Sequence, residues 1–328
     1  MDSSFDNGKY IVGGLALAGA AAGTSVAAGA FILFSKAIPR PDGPDESMAD
    51  EFADPVKMAE YMDRSEPVKK WTEELGKEDV WITARDGCRL HAFFIAAEAD
   101  SDKLAIIHHG YTSRALALDT IYHAKYFHDK GFDVLVPDLR AHGQSDGDYA
   151  GFGVLDRFDT ARWVQYARDR FGDNKKIVLH GTSMGAATVL MSLGEAIVQK
   201  NVSAVIADCG FTSPADIFTH VIKKNYHIPV TAPIIKISGA YCKKKAGYAF
   251  DEYSTVDALS YNKVPVLFIH GKEDKFVPTN MSRENYKVCT SKKKLLVVES
   301  AGHASSVFEN TALYEKTEGE FLAEIGLQ

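Results

Sequence analysis

The chain has 328 residues, of which 46% are hydrophobic and 25% are charged. This composition is typical of a globular protein, so it excludes a fully disordered chain, a collagen and a small disulfide-stabilised scaffold. The formal net charge of −7 argues against a nucleic-acid partner, because binding to phosphates requires a concentrated basic surface.

A long uncharged segment lies near the start of the chain. Residues 10–35 contain no charged side chain, and about 20 apolar residues are enough for a helix to cross a bilayer. We therefore predict a single-pass membrane anchor over residues 10–37, in contact with membrane lipid and with its orientation left open. A cleaved signal peptide, which would give a secreted protein, is the alternative, although this segment is longer than such peptides usually are. The spacing of Gly19 and Gly23 is typical of membrane helix pairs and suits a homodimer.

Residues 38–78 are predicted to connect this anchor to the rest of the chain. Proline, glycine and aspartate are frequent in residues 38–50, a composition that indicates a linker. Residues 66–75 are predicted to form a short helix, because Pro67 stands near their start and Gly76 follows their end. We expect Trp71 to pack this helix onto the body of the protein.

From residue 79 to residue 328 the sequence alternates between short apolar runs and helical patterns. The first two runs flank the turn Asp86-Gly87 and indicate an antiparallel hairpin. The later runs are continuously apolar, as expected for strands buried on both faces of a parallel sheet. The pattern predicts an α/β fold with a mostly parallel eight-stranded sheet covered by helices. The predicted strands cover residues 80–84, 90–96, 104–108, 133–137, 176–180, 203–207, 266–269 and 295–298, and the predicted helices cover residues 116–130, 155–171, 184–199, 280–289 and 306–325.

A candidate nucleophile follows the fifth predicted strand. The sequence G-T-S-M-G at residues 181–185 has the G-x-S-x-G pattern, which places a serine on a tight turn between a strand and a helix. The same pattern occurs around Ser145, but that stretch is polar and no apolar helix follows it. We therefore select Ser183 as the nucleophile and interpret Ser145 as a loop residue.

A serine nucleophile needs a neighbouring base, and that base needs an acid to orient it. His303 is the candidate base, because it lies in a small-residue loop after the last predicted strand. Asp274 is the candidate acid, since it follows the preceding strand, and its neighbour Glu273 is the alternative. Ligands of open α/β sheets bind beyond the carboxyl ends of the strands, so we expect Ser183, Asp274 and His303 to meet there as a catalytic triad. His270 precedes a glycine at a strand end, and we expect it to pack or to support rather than to catalyse.

Acyl transfer through a serine also requires N–H groups that stabilise the oxyanion of the tetrahedral intermediate. We expect one of them from the backbone of Met184, which directly follows the nucleophile at the start of a helix. The second is expected from Tyr111, in the loop H-H-G-Y-T-S after the third strand, where Gly110 gives the backbone room to turn. The phenol of Tyr111 is also a candidate for lining the substrate pocket, and both interpretations stay open.

These motifs resemble those of the α/β-hydrolase superfamily over about residues 79–328. The similarity rests on H-H-G-Y, D-L-R-A-H-G-Q-S, H-G-T-S-M-G-A-A, I-H-G-K-E-D-K-F-V-P and A-G-H, in the order of that superfamily. More narrowly, the helix with Trp71 and the following D-V-W-I-T-A-R-D-G-C-R-L-H-A-F-F-I resemble bacterial membrane-anchored cell-surface hydrolases, close to the Bem46-like and serine-aminopeptidase-like branches. The resemblance implies esterase-like activity. Ala141 departs from it, because relatives commonly have glycine there, and this puts the path of that loop in doubt.

The resemblance also implies a small helical cap, since the superfamily commonly carries one in the long insertion found here at about residues 211–263. This segment is rich in aromatic and aliphatic side chains, which suits an acyl or aromatic pocket as well as packing onto the body. Gly110, Phe211 and Tyr226 are the candidates for lining the substrate pocket.

The sequence thus predicts a serine hydrolase of the carboxylesterase or lipase-like kind, which cleaves a small-molecule acyl ester through an acyl-enzyme on Ser183. A serine-aminopeptidase-like peptidase is the alternative enzyme, and a hydrolase-fold binding module without activity is the alternative outside catalysis. We expect no cofactor and no metal ion, because the chemistry of the triad is complete without them. The four cysteines are far apart and lack the spacing of zinc ligands.

Overall fold

The computed structural model describes residues 22–41 and 55–327. Its eight strands are β1 (Glu78–Thr83), β2 (Arg89–Ile95), β3 (Lys103–His108), β4 (Asp133–Pro137), β5 (Lys176–Thr182), β6 (Val202–Asp208), β7 (Val266–Gly271) and β8 (Lys293–Val298). They form one sheet in the order β1-β2-β4-β3-β5-β6-β7-β8. Strand β2 pairs antiparallel with β1 and β4, and the other neighbouring strands pair in parallel. The mostly parallel eight-stranded sheet predicted from the sequence is confirmed.

Helices cover both faces of this sheet. They are α1 (Ala22–Ala37), α2 (Pro55–Glu74), α3 (Leu118–Asp129), α4 (Asp156–Phe171), α5 (Met184–Ser192), α6 (Ala196–Asn201), α7 (Pro214–Tyr226), α8 (Ala232–Ala246), α9 (Thr255–Leu259), α10 (Thr279–Val288), α11 (Ser306–Glu309) and α12 (Thr311–Ala323). In β3, Leu104 and Ile106 are buried in the same cluster as α4 and α5, whereas Ala105 and Ile107 are buried with α3 and α12. Because both faces are covered, the central strands β3 to β7 are buried at nearly every position.

Two predicted helices are divided in the structure. The helix predicted over residues 184–199 is α5 followed by α6, and the break contains Gly194, where any side chain would clash with the hydroxyl of Tyr253. The helix predicted over residues 306–325 is α11 followed by α12, whose first turn is capped by the side chain of Asn310. Capping by Asn310 thus fixes where α12 begins, and Gly194, a weak helix former, lies in the break between α5 and α6.

Helix α2 begins earlier than predicted. It starts at Pro55 rather than near residue 66, so Pro67 lies inside it. The additional turns are held by tertiary contacts, since the ring of Tyr61 stacks on Phe308 with centroids 4.9 Å apart. Trp71 packs against the buried cluster on the same face of the sheet, as expected.

The insertion between β6 and β7 contains the three helices α7, α8 and α9. Its side chains Phe218 and Phe250 are buried in one cluster with Phe152 and Met184. Because Met184 directly follows Ser183, the insertion lies beside the candidate nucleophile at the carboxyl end of the sheet.

The predicted single-pass anchor over residues 10–37 is wrong. In the described part of the chain, no helix is long and apolar enough to cross a membrane. Helix α1 has 16 residues and packs on the insertion, with Ala30 and Phe34 buried. The ring of Phe34 lies edge-on to that of Tyr241 on α8, with centroids 4.7 Å apart. Apolar side chains that were predicted to face lipid therefore contact protein.

Parts of these predictions fall on residues that the structure does not describe. Residues 10–21 and 42–54 lie outside the described residues, and Gly19 is among them. The homodimer through Gly19 and Gly23 therefore stays a prediction.

The residues that follow α1 contact the body of the protein. Ile38 is fully buried, and Pro39 forms a short antiparallel bridge with Tyr149. The guanidinium of Arg40 donates hydrogen bonds to the carbonyl oxygens of Gly143 and residue 145, at 2.6 and 2.7 Å. The first residues of the predicted linker are thus held against the body of the protein.

Candidate active site

Ser183 lies on the sharp turn between β5 and α5. Its φ is 56° and its ψ is −115°, a backbone conformation that residues other than glycine rarely adopt. A side chain on Gly181 would clash with the backbone of Gly185, and a side chain on Gly185 would clash with the carbonyl oxygen of His108. The two glycines of the G-x-S-x-G pattern are therefore required for the chain to make this turn.

The structure brings Ser183, Asp274 and His303 together. Asp274 follows β7 and His303 follows β8. The Oγ atom of Ser183 lies 2.8 Å from Nε2 of His303, and Nδ1 of His303 lies 2.7 Å from Oδ2 of Asp274. Because an ionised carboxylate only accepts hydrogen bonds, Nδ1 of the neutral imidazole carries the proton and Nε2 accepts from the serine hydroxyl. All three side chains are buried.

The carboxylate of Asp274 accepts four hydrogen bonds. Its Oδ1 accepts from the backbone N–H groups of Phe276 and Val277, and its Oδ2 accepts from the rings of His303 and His270. Burial by itself would raise the pKa of Asp274, but electrostatic attraction to His303 and the hydrogen bonds from the two rings outweigh burial and hold this pKa below its ordinary value. Asp274 is therefore an ionised, fixed acceptor at neutral pH.

The loop after β3 packs directly against the candidate nucleophile. A Cβ atom on Gly110 would lie 3.4 Å from Cβ of Ser183. The loop is held by Asp119, whose carboxylate accepts hydrogen bonds from the backbone N–H of Gly110 and from the hydroxyl of Ser113, each at 2.6 Å. The predicted pocket residue Gly110 is thus in van der Waals range of the nucleophile.

The two predicted oxyanion donors lie next to these contacts. Met184 is the first residue of α5, and N–H groups in the first turn of a helix have no acceptor within the helix. The helix dipole also favours negative charge at that end. Tyr111 follows Gly110 in the loop that Asp119 holds. These positions suit two N–H donors on either side of a developing oxyanion, and their roles stay a prediction.

Two residues that hold this loop, Asp119 and His109, are not among those predicted from the sequence. Nδ1–H of His109 donates to the carbonyl oxygen of Gly110 at 2.7 Å, and its Nε2 accepts from the N–H of Leu139 at 2.9 Å. The ring therefore joins the loop after β3 to the loop after β4. An aspartate in the first turn of a helix is a sequence signal for Asp119. The motif H-H-G-Y contains His109 but does not indicate which atoms its ring would contact.

The alternatives to the triad residues have other partners. The hydroxyl of Ser145 donates to the carbonyl oxygen of Asp138 at 2.7 Å and accepts from the N–H of His91 at 2.9 Å. Glu273 is exposed, whereas the neighbouring Asp274 is buried against the imidazole. Ser145 therefore links a strand to a loop.

The loop around Ala141 takes the backbone conformation that a glycine would take more easily. Ala141 is buried with a φ of 59°, in the left-handed region. The neighbouring Arg140 holds the loop, because its guanidinium forms two hydrogen bonds to Asp159, at 2.7 and 2.8 Å, and one to Asp86 at 2.8 Å. These ion pairs fix the loop with alanine in place of glycine.

Aromatic side chains lie near the candidate triad. The ring of Phe276 lies edge-on to the imidazole of the triad, with centroids 5.0 Å apart, and the rings of Tyr111 and Phe152 are 5.1 Å apart. The predicted pocket residue Phe211 is buried in the cluster that contains Phe152. Tyr226, the other predicted aromatic, is the half-buried last residue of α7. That Phe211 and Tyr226 line a substrate pocket stays a prediction.

One group of potential metal-binding side chains is found in the described part of the chain, and it overlaps the triad. It consists of Cys209, Asp274 and His303, whose ligand atoms lie within 4.8 Å of one another. Burial, together with the negative charges of Asp208 and Asp274, raises the pKa of the Cys209 thiol, whereas metal ions bind the thiolate. Asp274 and His303 are hydrogen-bonded to each other and are therefore not arranged as free metal ligands. We interpret Cys209 as a residue that packs against the triad.

Comparisons with known proteins identify relatives of this chain. The sequence model of the alpha/beta hydrolase fold family matches residues 105–226. The protein YqkD of Bacillus subtilis (strain 168) is 30% identical over 250 residues, which cover 76% of this chain and 80% of YqkD. The protein bem46 of Schizosaccharomyces pombe is 26% identical over 167 residues, which cover 49% of this chain and 48% of bem46.

Solved structures show the same fold. The esterase Pf2001 of Pyrococcus furiosus superposes with a TM-score of 0.61 at 25% identity, over 77% of this chain and 94% of the esterase. The eight-stranded sheet, the turn at Ser183 and these similarities define a hydrolase of the α/β class. The chain belongs to the α/β-hydrolase superfamily, as the sequence resemblance predicted.

Proposed function

We propose that this chain is a serine hydrolase that cleaves acyl esters of small molecules, an enzyme of the carboxylesterase or lipase-like kind. The observation that carries the proposal is the hydrogen-bonded chain from Ser183 through His303 to Asp274, at 2.8 and 2.7 Å. A structural relative that is an esterase supports the same class of reaction.

In the first half of the proposed reaction, the Oγ atom of Ser183 attacks the carbonyl carbon of the ester. Its proton passes to Nε2 of His303, and the ionised Asp274 stabilises the imidazolium that forms. The carbonyl oxygen becomes an oxyanion, which accepts hydrogen bonds from the backbone N–H groups of Met184 and Tyr111. When the intermediate collapses, His303 returns the proton to the departing alkoxide, and the acyl group remains on Ser183.

In the second half, water hydrolyses the acyl-enzyme by the same route. His303 removes a proton from the water while the hydroxide attacks the acyl carbonyl carbon. The second tetrahedral intermediate uses the same two N–H donors, and its collapse expels the Ser183 oxygen, which regains its proton from His303. The carboxylic acid leaves, and the enzyme returns to its starting state.

The surroundings of the triad favour an apolar acyl group. The rings of Phe276 and Tyr111 are half-buried near the candidate nucleophile, and the insertion with α7, α8 and α9 contributes further apolar side chains to the adjoining cluster. We infer that this insertion acts as the cap of the active site. An apolar pocket binds a hydrocarbon chain by removing its surface from water, which stabilises binding by about 25 cal/mol for each Å² buried.

The proposal is tested by comparing p-nitrophenyl acyl esters with aminoacyl p-nitroanilides. We expect a higher kcat/KM for the esters, and we expect Ser183→Ala to lower kcat by at least about 10³-fold. Ser145→Ala is the matched control, because it alters the other G-x-S-x-G pattern, and its turnover per folded molecule should equal that of the wild type.

Three results would contradict the proposal. Full ester turnover by Ser183→Ala would show that another residue is the nucleophile. Faster turnover of the amides than of the esters would favour an aminopeptidase-like enzyme. Folded wild-type protein that hydrolyses neither series across a range of acyl lengths would favour a binding module.

A further inference from the structure

We propose that His270 is a positioning residue of the active site, which orients the carboxylate of Asp274 and tunes the strength with which this carboxylate holds His303. The inference rests on the proposed function, since it concerns the acid of the proposed triad. It adds a fourth side chain to the chain of hydrogen bonds that begins at Ser183.

The hydrogen bonds of His270 fix its proton positions. Its Nε2 lies 2.9 Å from the carbonyl oxygen of Val277 and 3.1 Å from Oδ2 of Asp274. Both oxygens only accept, so Nε2 carries a proton in the neutral ring and in the cation alike. Its Nδ1 lies 2.6 Å from Oγ of Ser282, whose hydroxyl donates to it when the ring is neutral. His270 therefore donates to Asp274 in either protonation state.

The ring of His270 is held in one orientation by its hydrogen bonds. The side chain is fully buried in β7, four residues before Asp274. Both ring nitrogens have partners, one on α10 and two in the loop after β7. Rotation of the ring would leave buried polar atoms without hydrogen bonds, which costs about 1–3 kcal/mol for each.

His270 and His303 donate to the same oxygen. Oδ2 of Asp274 accepts at 3.1 Å from the first ring and at 2.7 Å from the second. When one donor is removed, the oxygen becomes a stronger acceptor for the other and favours the cationic form of that imidazole. Loss of the His270 donor would therefore keep His303 protonated to higher pH, where it is unable to take the proton of Ser183.

Other ionisable groups lie close to this pair and are the same in every variant. Asp208, at the end of β6, interacts with Asp274 and the two imidazoles, and Tyr314 of α12 hydrogen-bonds to Asp208. The next residue, Cys209, lies close to Asp274 and His303. Burial raises the pKa of Asp208 to about 6 and also raises that of Cys209. On α10, the uncharged Ser282 is the residue that contacts His270. The charge of His270 also lowers the pKa of Asp208, so only the difference between His270→Leu and His270→Gln, which both lack the ring, reports the loss of the hydrogen bond.

The test compares His270→Leu, which removes the donor, with His270→Gln, whose amide N–H replaces Nε2–H without a charge. The fraction of competent enzyme is determined with a fluorophosphonate, and ester turnover is measured against pH. In parallel, the imidazole of His303 is titrated by NMR in protein labelled with ¹⁵N-histidine, without substrate. His128→Gln is the control, because His128 is a largely buried histidine of α3 that bonds to the carbonyl oxygen of Ala96.

We expect His270→Leu to lower kcat about tenfold per competent site with little change in KM, as for the loss of a hydrogen bond to a charged group. The acid limb of the rate profile and the NMR midpoint of His303 should both move to higher pH. His270→Gln should restore most of kcat and the wild-type midpoint, and the control should change neither. Ser282→Ala removes the partner of Nδ1 and should shift the acid limb and the NMR midpoint of His303 in the same direction by a smaller amount. This variant replaces His270→Leu in the test if His270→Leu does not fold.

A purely structural role would give a different pattern. His270→Leu, or Ser282→Ala in its place, would then reduce the fraction of competent enzyme, while the turnover per competent site and the NMR midpoint stayed at their wild-type values, and this result would overturn the inference. The NMR titration needs no substrate, so it separates the two proposals. A shifted midpoint in a protein that cleaves no ester would contradict only the proposed function.

Discussion

Ser183, the proposed nucleophile, has a strained backbone conformation. Its backbone conformation costs about 1–3 kcal/mol for a residue other than glycine. The surrounding structure imposes it, because its N–H donates to the carbonyl oxygen of Asp208 at 2.8 Å and Gly181 and Gly185 permit close backbone packing on both sides. Strain that persists in a buried turn places the hydroxyl within hydrogen-bond distance of His303 before any substrate binds.

Asp119 is predicted to support catalysis by holding the loop that carries Tyr111. Asp119→Asn keeps the size of the side chain but loses one of the two acceptor oxygens, which now bind the N–H of Gly110 and the hydroxyl of Ser113. We expect kcat for ester hydrolysis to fall about tenfold. A misplaced oxyanion donor weakens the stabilisation of the transition state more than it weakens the binding of the substrate. Steady-state kinetics on the purified variant measure this.

The control for this variant is Asp129→Asn, at the other end of the same helix. Asp129 is 52% exposed and pairs with Lys125 at 2.6 Å, so its loss should leave kcat unchanged. A fall in thermal stability alone, with kcat equal to that of the wild type, would mean that Asp119 serves only the fold.

At the scale of single residues, the sequence predicts the site residues that directly follow strands. Ser183, Asp274 and His303 were selectable because each stands just after an apolar run with a small-residue or glycine neighbour. His270 is expected from the sequence only to pack or to support, and His109 is not assigned, since their roles depend on which backbone and side-chain atoms the fold brings to their ring nitrogens. A single sequence contains no record of those distant partners.

At the scale of elements, the apolar pattern of helix α1 does not distinguish a helix that faces lipid from a helix that packs on protein. A helix that faces lipid and a helix that faces protein can carry the same apolar residues, so residues 10–37 were interpreted as an anchor. In the structure Phe34 packs on Tyr241 of the insertion, and Ile38 is fully buried. The strands are easier to predict, because burial on both faces gives each of β3 to β7 a continuous apolar run.

The packing of α1 predicts a contrast between two phenylalanines on the same helix. Phe34 is 6% exposed and Phe31 is 59% exposed. Phe34→Ala should lower the free energy of unfolding by about 3 kcal/mol through the cavity that it leaves, whereas Phe31→Ala should change it by less than about 1 kcal/mol. Denaturant unfolding of the two variants measures the difference. Equal effects would show that α1 does not pack on the insertion in this way.

The whole molecule brings distant parts of the chain to one edge of the sheet. Ser183 and His303 are 120 positions apart in the sequence, yet Oγ and Nε2 are 2.8 Å apart. The parallel pairing of β5 with β6, of β6 with β7 and of β7 with β8 places the ends of these strands side by side. The alternation of strands and helices predicted this convergence, because ligands of such sheets bind where the carboxyl ends meet. The extent of α2 and the place of α1 depend on tertiary contacts that alternation does not encode.

The central claim is that this edge activates the hydroxyl of Ser183, and covalent labelling tests it most directly. The full chain is treated with a fluorophosphonate, and the modified peptide is located by mass spectrometry, with Ser183→Ala and His303→Gln treated in parallel. We predict one adduct per molecule, on Ser183, which is absent from Ser183→Ala and forms far more slowly in His303→Gln. An adduct on Ser145, or no adduct on folded protein, would contradict the claim.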